Sequence, residues 1–110
     1  MELTRDGFVE QFAISFQVHC LKHWPKRRNE APTFLTACLL EWIKTNGGQS
    51  TRKGAVFAEL ARPVIEEVHR VTPKGERPDA SRLAGLLYDA LERAGAEITL
   101  RKLEMVTAAR

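Results

Sequence analysis

Long apolar runs are missing from this sequence: nowhere do more than a few hydrophobic residues follow one another. A membrane-spanning helix needs about 20, so none is expected. The stretch from Phe8 to Leu21 carries too many polar positions for the apolar part of a secretory signal, and no positive segment precedes it. Cysteine is scarce too. Cys20 and Cys38 are the only two, set among apolar residues with no framework spacing. The expectation is a pair of reduced thiols in a cytoplasmic protein.

Catalytic signatures are absent as well. There is no G-x-S-x-G, no H-E-x-x-H and no G-x-x-x-x-G-K. Asn46-Gly47-Gly48 has glycines but follows no strand, so it does not read as a phosphate cradle. Glu66 and His69 can meet on one helix face, yet nothing supplies a nucleophile or an oxyanion hole beside them. His19 and His23 stand one helical turn apart, a valid spacing for two ligands of a metal. Cys20 points about 100° away from them. Cys38 could reach in from a neighbouring helix, but no fourth ligand can be named. Neither an enzyme, a metal site nor a cofactor is expected.

What the chain does have is 110 residues that are 44% hydrophobic and 28% charged, enough for one folded domain with one core over residues 1–110. FAISFQVHC, residues 12–20, poses the main structural question. Its apolar residues alternate as in a strand. Phe8, Phe12, Phe16 and Cys20 also recur every fourth residue, with Ile14, Val18 and Leu21 as a second stripe. No partner strand is evident, and a lone strand cannot satisfy its backbone groups. The segment therefore reads as a helix over residues 6–23, capped at Asp6, stopped by Pro25 and buried on more than one side.

Thr33 reads as the cap of a second helix, 34–45, ended by Asn46-Gly47-Gly48. A third helix starts at Ser50 or Thr51 and reaches Val71, with Pro63 either kinking it or opening a new first turn. Thr72-Pro73-Lys74-Gly75-Glu76-Arg77-Pro78 is a loop. Asp79 or Ser81 caps a fourth helix that ends at Gly95. Residues 98–106 fit a last helical element, with Thr99 as a cap. The fold class is all-α, a compact four- to five-helix single domain.

Charge is the strongest functional hint. The net charge is +3 and the isoelectric point about 9.1, a mild bias, so its distribution matters more than its size. Lys22, Lys26, Arg27 and Arg28 fall within seven residues with no acid among them. Arg52 and Lys53 form a second pair. Arg70, Lys74, Arg77 and Arg82 form a looser third group, diluted by Glu76 and Asp79. In KHWPKRR the cations can hold phosphate oxygens and Trp24 can stack on a base or sugar. A helix-turn-helix can also be drawn, with Ile98–Val106 as its reading helix and Arg101 and Lys102 facing the groove. Glu104 on that element and Glu97 just before it argue against it.

Two functions are therefore expected from different classes. The first is a small accessory or regulatory subunit contacting nucleic-acid backbone, RNA or DNA, through Lys22, Trp24, Lys26, Arg27, Arg28, Arg52 and Lys53. The second is a protein-binding adaptor or inhibitor that uses an apolar face of the first helix against another protein or a second copy of itself.

Overall fold

The computed structural model describes residues 4–50, 54–96 and 98–99. Four α-helices carry it: α1 Arg5–His19, α2 Ala31–Thr45, α3 Gly54–Val71 and α4 Ala80–Arg93. Two residues of β1, Gln49–Ser50, pair antiparallel with β2, Ile98–Thr99. The chain is all-α, and that pairing is the only ladder among the described residues.

Local chemistry sets most helix ends. Thr4 caps α1 from an extended backbone, its Oγ1 accepting from the Gly7 N–H at 3.1 Å. Asp6, expected in that role, lies within the first turn, where its charge favours the positive end of the helix. α2 starts at Ala31, ahead of the expected cap Thr33, because Pro32 suits the first turn: it needs no donor there and its φ is already helical. Asp79, one of the two expected caps of α4, accepts from the Arg82 N–H at 2.9 Å. α2 and α4 stop alike. Gly47 (φ 64°) and Gly95 (φ 69°) turn left-handed. The following N–H groups of Gly48 and Ala96 then reach back to the Ile43 and Leu91 carbonyls at 2.7 and 2.9 Å.

α3 runs unbroken through Pro63. The proline has no N–H for the Glu59 carbonyl, and both residues are exposed, so water can serve instead. Ser50 pairs through its backbone with Ile98 ahead of α3; Thr51, the other expected cap, lies outside the described residues. The expected last helix does not begin at Ile98, because Ile98 and Thr99 are extended; residues 100–106 lie outside the described residues.

FAISFQVHC is helix up to His19. The α-helix does not continue to His23, however. It gives way at Cys20 to a 3₁₀ turn, Leu21–His23. Past that turn the Trp24 ring stands near perpendicular to Phe16, with centroids 6.1 Å apart.

α1 packs mainly on α4, and α3 packs on both α4 and α2, while α1 and α2 touch more lightly. The radius of gyration, 13.4 Å, agrees with about 13 Å for a folded chain of this length. At the centre, Phe8, Phe12 and Phe16 meet Leu35, Leu39, Phe57, Leu83 and Leu87, all nearly inaccessible to solvent. Phe8 and Phe12 stack at 5.1 Å, and Trp42 stands edge-on to both, at 5.4 and 5.5 Å. Such pairs add about 0.5–1.5 kcal/mol each beyond area burial. No polar side chain is buried among the described residues. The second stripe departs from the expectation of burial on two sides: Ile14 and Val18 are 53% and 58% exposed, while Leu21 is half-buried against the core. The helices that pack on α1 take its phenylalanine side, and no described element covers the other.

Arg5 clips the start of α1 to α4. Its Nε donates to Asp89 Oδ1 at 3.0 Å and its Nη2 to Oδ2 at 3.4 Å. Gly85, one turn before Asp89, gives the guanidinium room to pass; a methyl group there would meet Nη2 at 3.0 Å.

Candidate functional site

The segment after α1 and the loop after α3 lie against each other. Arg77 Nη2 donates to the Lys22 carbonyl at 3.4 Å, across 55 residues of chain. Between the two segments is an open hollow of about 920 Å³. Trp24, Pro25, Lys26 and Arg28 line one side; Lys74 and Arg77, with Glu76, line the other, and His69 of α3 lies between. Both walls are stiffened locally. Pro25 and Pro73 fix their own φ angles. Gly75 at φ 86° closes the loop's turn, and the Glu76 N–H donates to the Pro73 carbonyl at 3.0 Å.

Trp24 is half-buried at the end of the aromatic row that begins with Phe8. Its ring neighbours are Phe16 at 6.1 Å, Phe34 at 6.0 Å and His69 at 6.1 Å, each near perpendicular to the indole. Among the described residues no ring stacks parallel on it. So the tryptophan has two attachments: it packs at right angles on neighbouring rings, and it also lines the hollow.

Of the residues singled out by sequence, Trp24, Lys26 and Arg28 meet at this hollow. Lys22 is exposed and offers its carbonyl to Arg77. Arg27 is exposed between Lys26 and Arg28 without lining the hollow. Arg52 and Lys53 lie outside the described residues. The sequence did not point to Lys74 and Arg77, which read as a diluted group, or to His69, considered only with Glu66, as residues lining this hollow. The available signal was the Pro- and Gly-rich loop carrying two cations beside a histidine, one turn after an apolar stripe.

His69 takes up a proton less readily than an ordinary histidine. Burial is the main cause, and the charge of Arg28 adds to it. Arg28 and His69 also face a second open hollow of about 780 Å³, where Arg62 and Arg70 of α3 stand beside Glu66. Arg70 is engaged with Glu67, Nε to Oε2 at 3.0 Å. That hydrogen bond and charge pair hold the Glu67 carboxyl below its usual range. The cationic surface thus continues from the loop around Arg28 onto α3, with one acid on each hollow.

The histidine pair is not on one helix. His19 is the last residue of α1 and His23 sits in the 3₁₀ turn. No group of three or more metal-ligating side chains occurs among the described residues. Cys20 and Cys38 are free and half-buried. Burial pushes the Cys38 thiol up, and a hydrogen bond with Cys20 pushes it further. The helix-turn-helix loses its start: β2 occupies the first residues of its reading helix, and Arg101 and Lys102 lie outside the described residues. No described helix is long and apolar enough to cross a membrane.

No protein-family model matches the chain, and no curated protein or solved structure does either. Function has to be read from the surface itself. That surface gathers fixed cations and an aromatic ring around a concavity, which suits a ligand carrying both negative charge and a flat apolar group.

Proposed function

We propose that the protein is a small non-catalytic accessory or regulatory subunit that holds nucleic acid by its backbone. The observation that carries this is the meeting of two cationic segments, Lys22–Arg28 and Lys74–Arg77, around the hollow beside Trp24. Cations from separate parts of a chain repel each other, and keeping them together is useful when an anion sits between them. Lys26 and Arg28 supply charge on one side of the hollow and Lys74 and Arg77 on the other, with the exposed Lys22 and Arg27 extending the first segment's charge beside it.

Fluorescence anisotropy of labelled oligonucleotides at two salt concentrations tests this. Binding should weaken steeply with salt, and Arg27→Ala with Arg28→Ala should lower both the affinity and the salt slope. Unchanged affinity in that double variant would remove the proposed site.

A second reading has its own observation. On α1, Ile14 and Val18 are large apolar side chains 53% and 58% exposed. On this reading the protein is an adaptor or inhibitor that covers the open side of α1 with a partner protein or a second copy of itself. The complex would resist moderate salt, and Val18→Lys would dissolve it without unfolding the chain.

A further inference from the structure

Resting on the nucleic-acid reading, we infer that the hollow between Trp24–Arg28 and Lys74–Arg77 is a seat for unpaired nucleotides, and that the protein selects single strands over duplex. A duplex presents its phosphates on the outside of a stiff rod and keeps the faces of its bases stacked on each other. It can lie along a charged ridge, but it cannot offer a flat ring to a concavity. The described surface has a concavity, about 920 Å³, inside the range of about 300–1,000 Å³ typical of small-ligand sites. It is open enough to admit a chain passing through.

Its chemistry is divided as a nucleotide's is. The apolar part is Trp24 with His69 beside it, two flat rings that both line the hollow. His69 is held toward its neutral form, so it adds ring surface near neutral pH more than charge. The charged part is Lys26 and Arg28 from one segment and Lys74 and Arg77 from the other, four cations against the single carboxylate of Glu76. A base against the indole leaves its flanking phosphates at the two cationic walls. The prolines and the Gly75 turn set those walls before any ligand arrives, which lowers the ordering cost of binding.

The test uses the whole protein with three probes of one sequence: single-stranded RNA, single-stranded DNA and the DNA duplex. Binding is followed by anisotropy and by tryptophan emission. Trp42 is 6% exposed, so ligand quenching reports on Trp24. The expected result is that a single strand binds at least ~10-fold tighter than the duplex and quenches the accessible indole, since a stacked base contributes about that factor or more. The tighter of the two single strands then identifies the sugar. Lys74→Gln with Arg77→Gln, both exposed, should weaken single-strand binding and lower the salt slope by about 1.4, for two phosphates.

Trp24→Phe keeps an aromatic ring for the core and should lose most of the quench. Equal or tighter duplex binding, or single-strand binding with no quench and no effect of the Lys74/Arg77 pair, overturns the nucleotide seat while leaving the charged surface as a backbone contact. Failure of all three probes to bind at low salt overturns the nucleic-acid reading itself, and the seat with it.

Discussion

The two sides of α1 carry the same kind of residue and meet opposite fates. Phe8, Phe12 and Phe16 are 0–1% exposed and form the spine of the core; Ile14 and Val18, a half-turn away, are 53% and 58% exposed. Hydrophobicity alone does not separate them. What separates them is reach and phase. A phenylalanine at every fourth position gives a continuous ridge of rings, and successive rings lie 5.1 and 5.8 Å apart. α4 and α2 can close on that ridge, with Trp42 set edge-on against it. The β-branched stripe offers smaller knobs, and once the helices have taken the ring side none is left to cover it. The difference teaches that an apolar surplus on a helix is information about neighbours, and that neighbours within the chain are used first.

The largest effect that would break this contrast is on the ring side. Phe12→Ala should cost about 3–5 kcal/mol of unfolding free energy, measured in urea, because a fully buried aromatic leaves a cavity its neighbours cannot fill. A loss below ~1 kcal/mol would mean that α1 does not anchor the core. Next comes the outer end of the same row. Trp24→Ala should cost about 2 kcal/mol, less than Phe12 because the indole is only half-buried; a cost equal to that of Phe12 would make Trp24 a core residue and leave little surface for the hollow.

A smaller effect comes with pH. His69 packs on Trp24 with its proton affinity lowered by burial and by Arg28. The unfolded chain therefore takes up that proton first, near pH 6.5. The contribution is fully present above that value and is lost as pH falls through it toward the lower folded value. The urea midpoint should drop more between pH 7.5 and 5.5 in the parent than in His69→Gln; equal drops would show that His69 is not held as described. The smallest effect is on the open side. Ile14→Lys and Val18→Lys should each change stability by no more than ~0.5 kcal/mol. A loss of several kcal/mol in thermal melts would mean that this stripe is covered, and parallel sedimentation would show whether a second copy covers it.

Much of the fold is legible in order along the chain. The NGG that ends α2, the Gly95 that ends α4 and the Asp79 cap act through atoms a few residues away, so short patterns carry them. The start of α1 is less legible, because Thr4 and Asp6 are both good caps and only the Thr4 hydroxyl meets the Gly7 N–H. The end of α1 is not legible from Pro25 alone. Trp24, just past the 3₁₀ turn, packs on Phe16, Phe34 and His69, which come from three helices. For the candidate site, KHWPKRR marks one wall and hides the other. Lys74 and Arg77 look diluted in sequence because Glu76 and Asp79 lie beside them.

By itself, then, the sequence determined that this chain is helical, where most of its helices stop, and that an aromatic ridge would seek cover. These are properties of φ and ψ preference, capping and side-chain period, which act over about one or two turns. Tertiary structure alone decided which side of α1 is covered, that the α1–α2 connection meets the α3–α4 loop, and that His69 joins Trp24 between them. Those outcomes depend on how four helices share one apolar core, and no residue carries that information in its immediate neighbours.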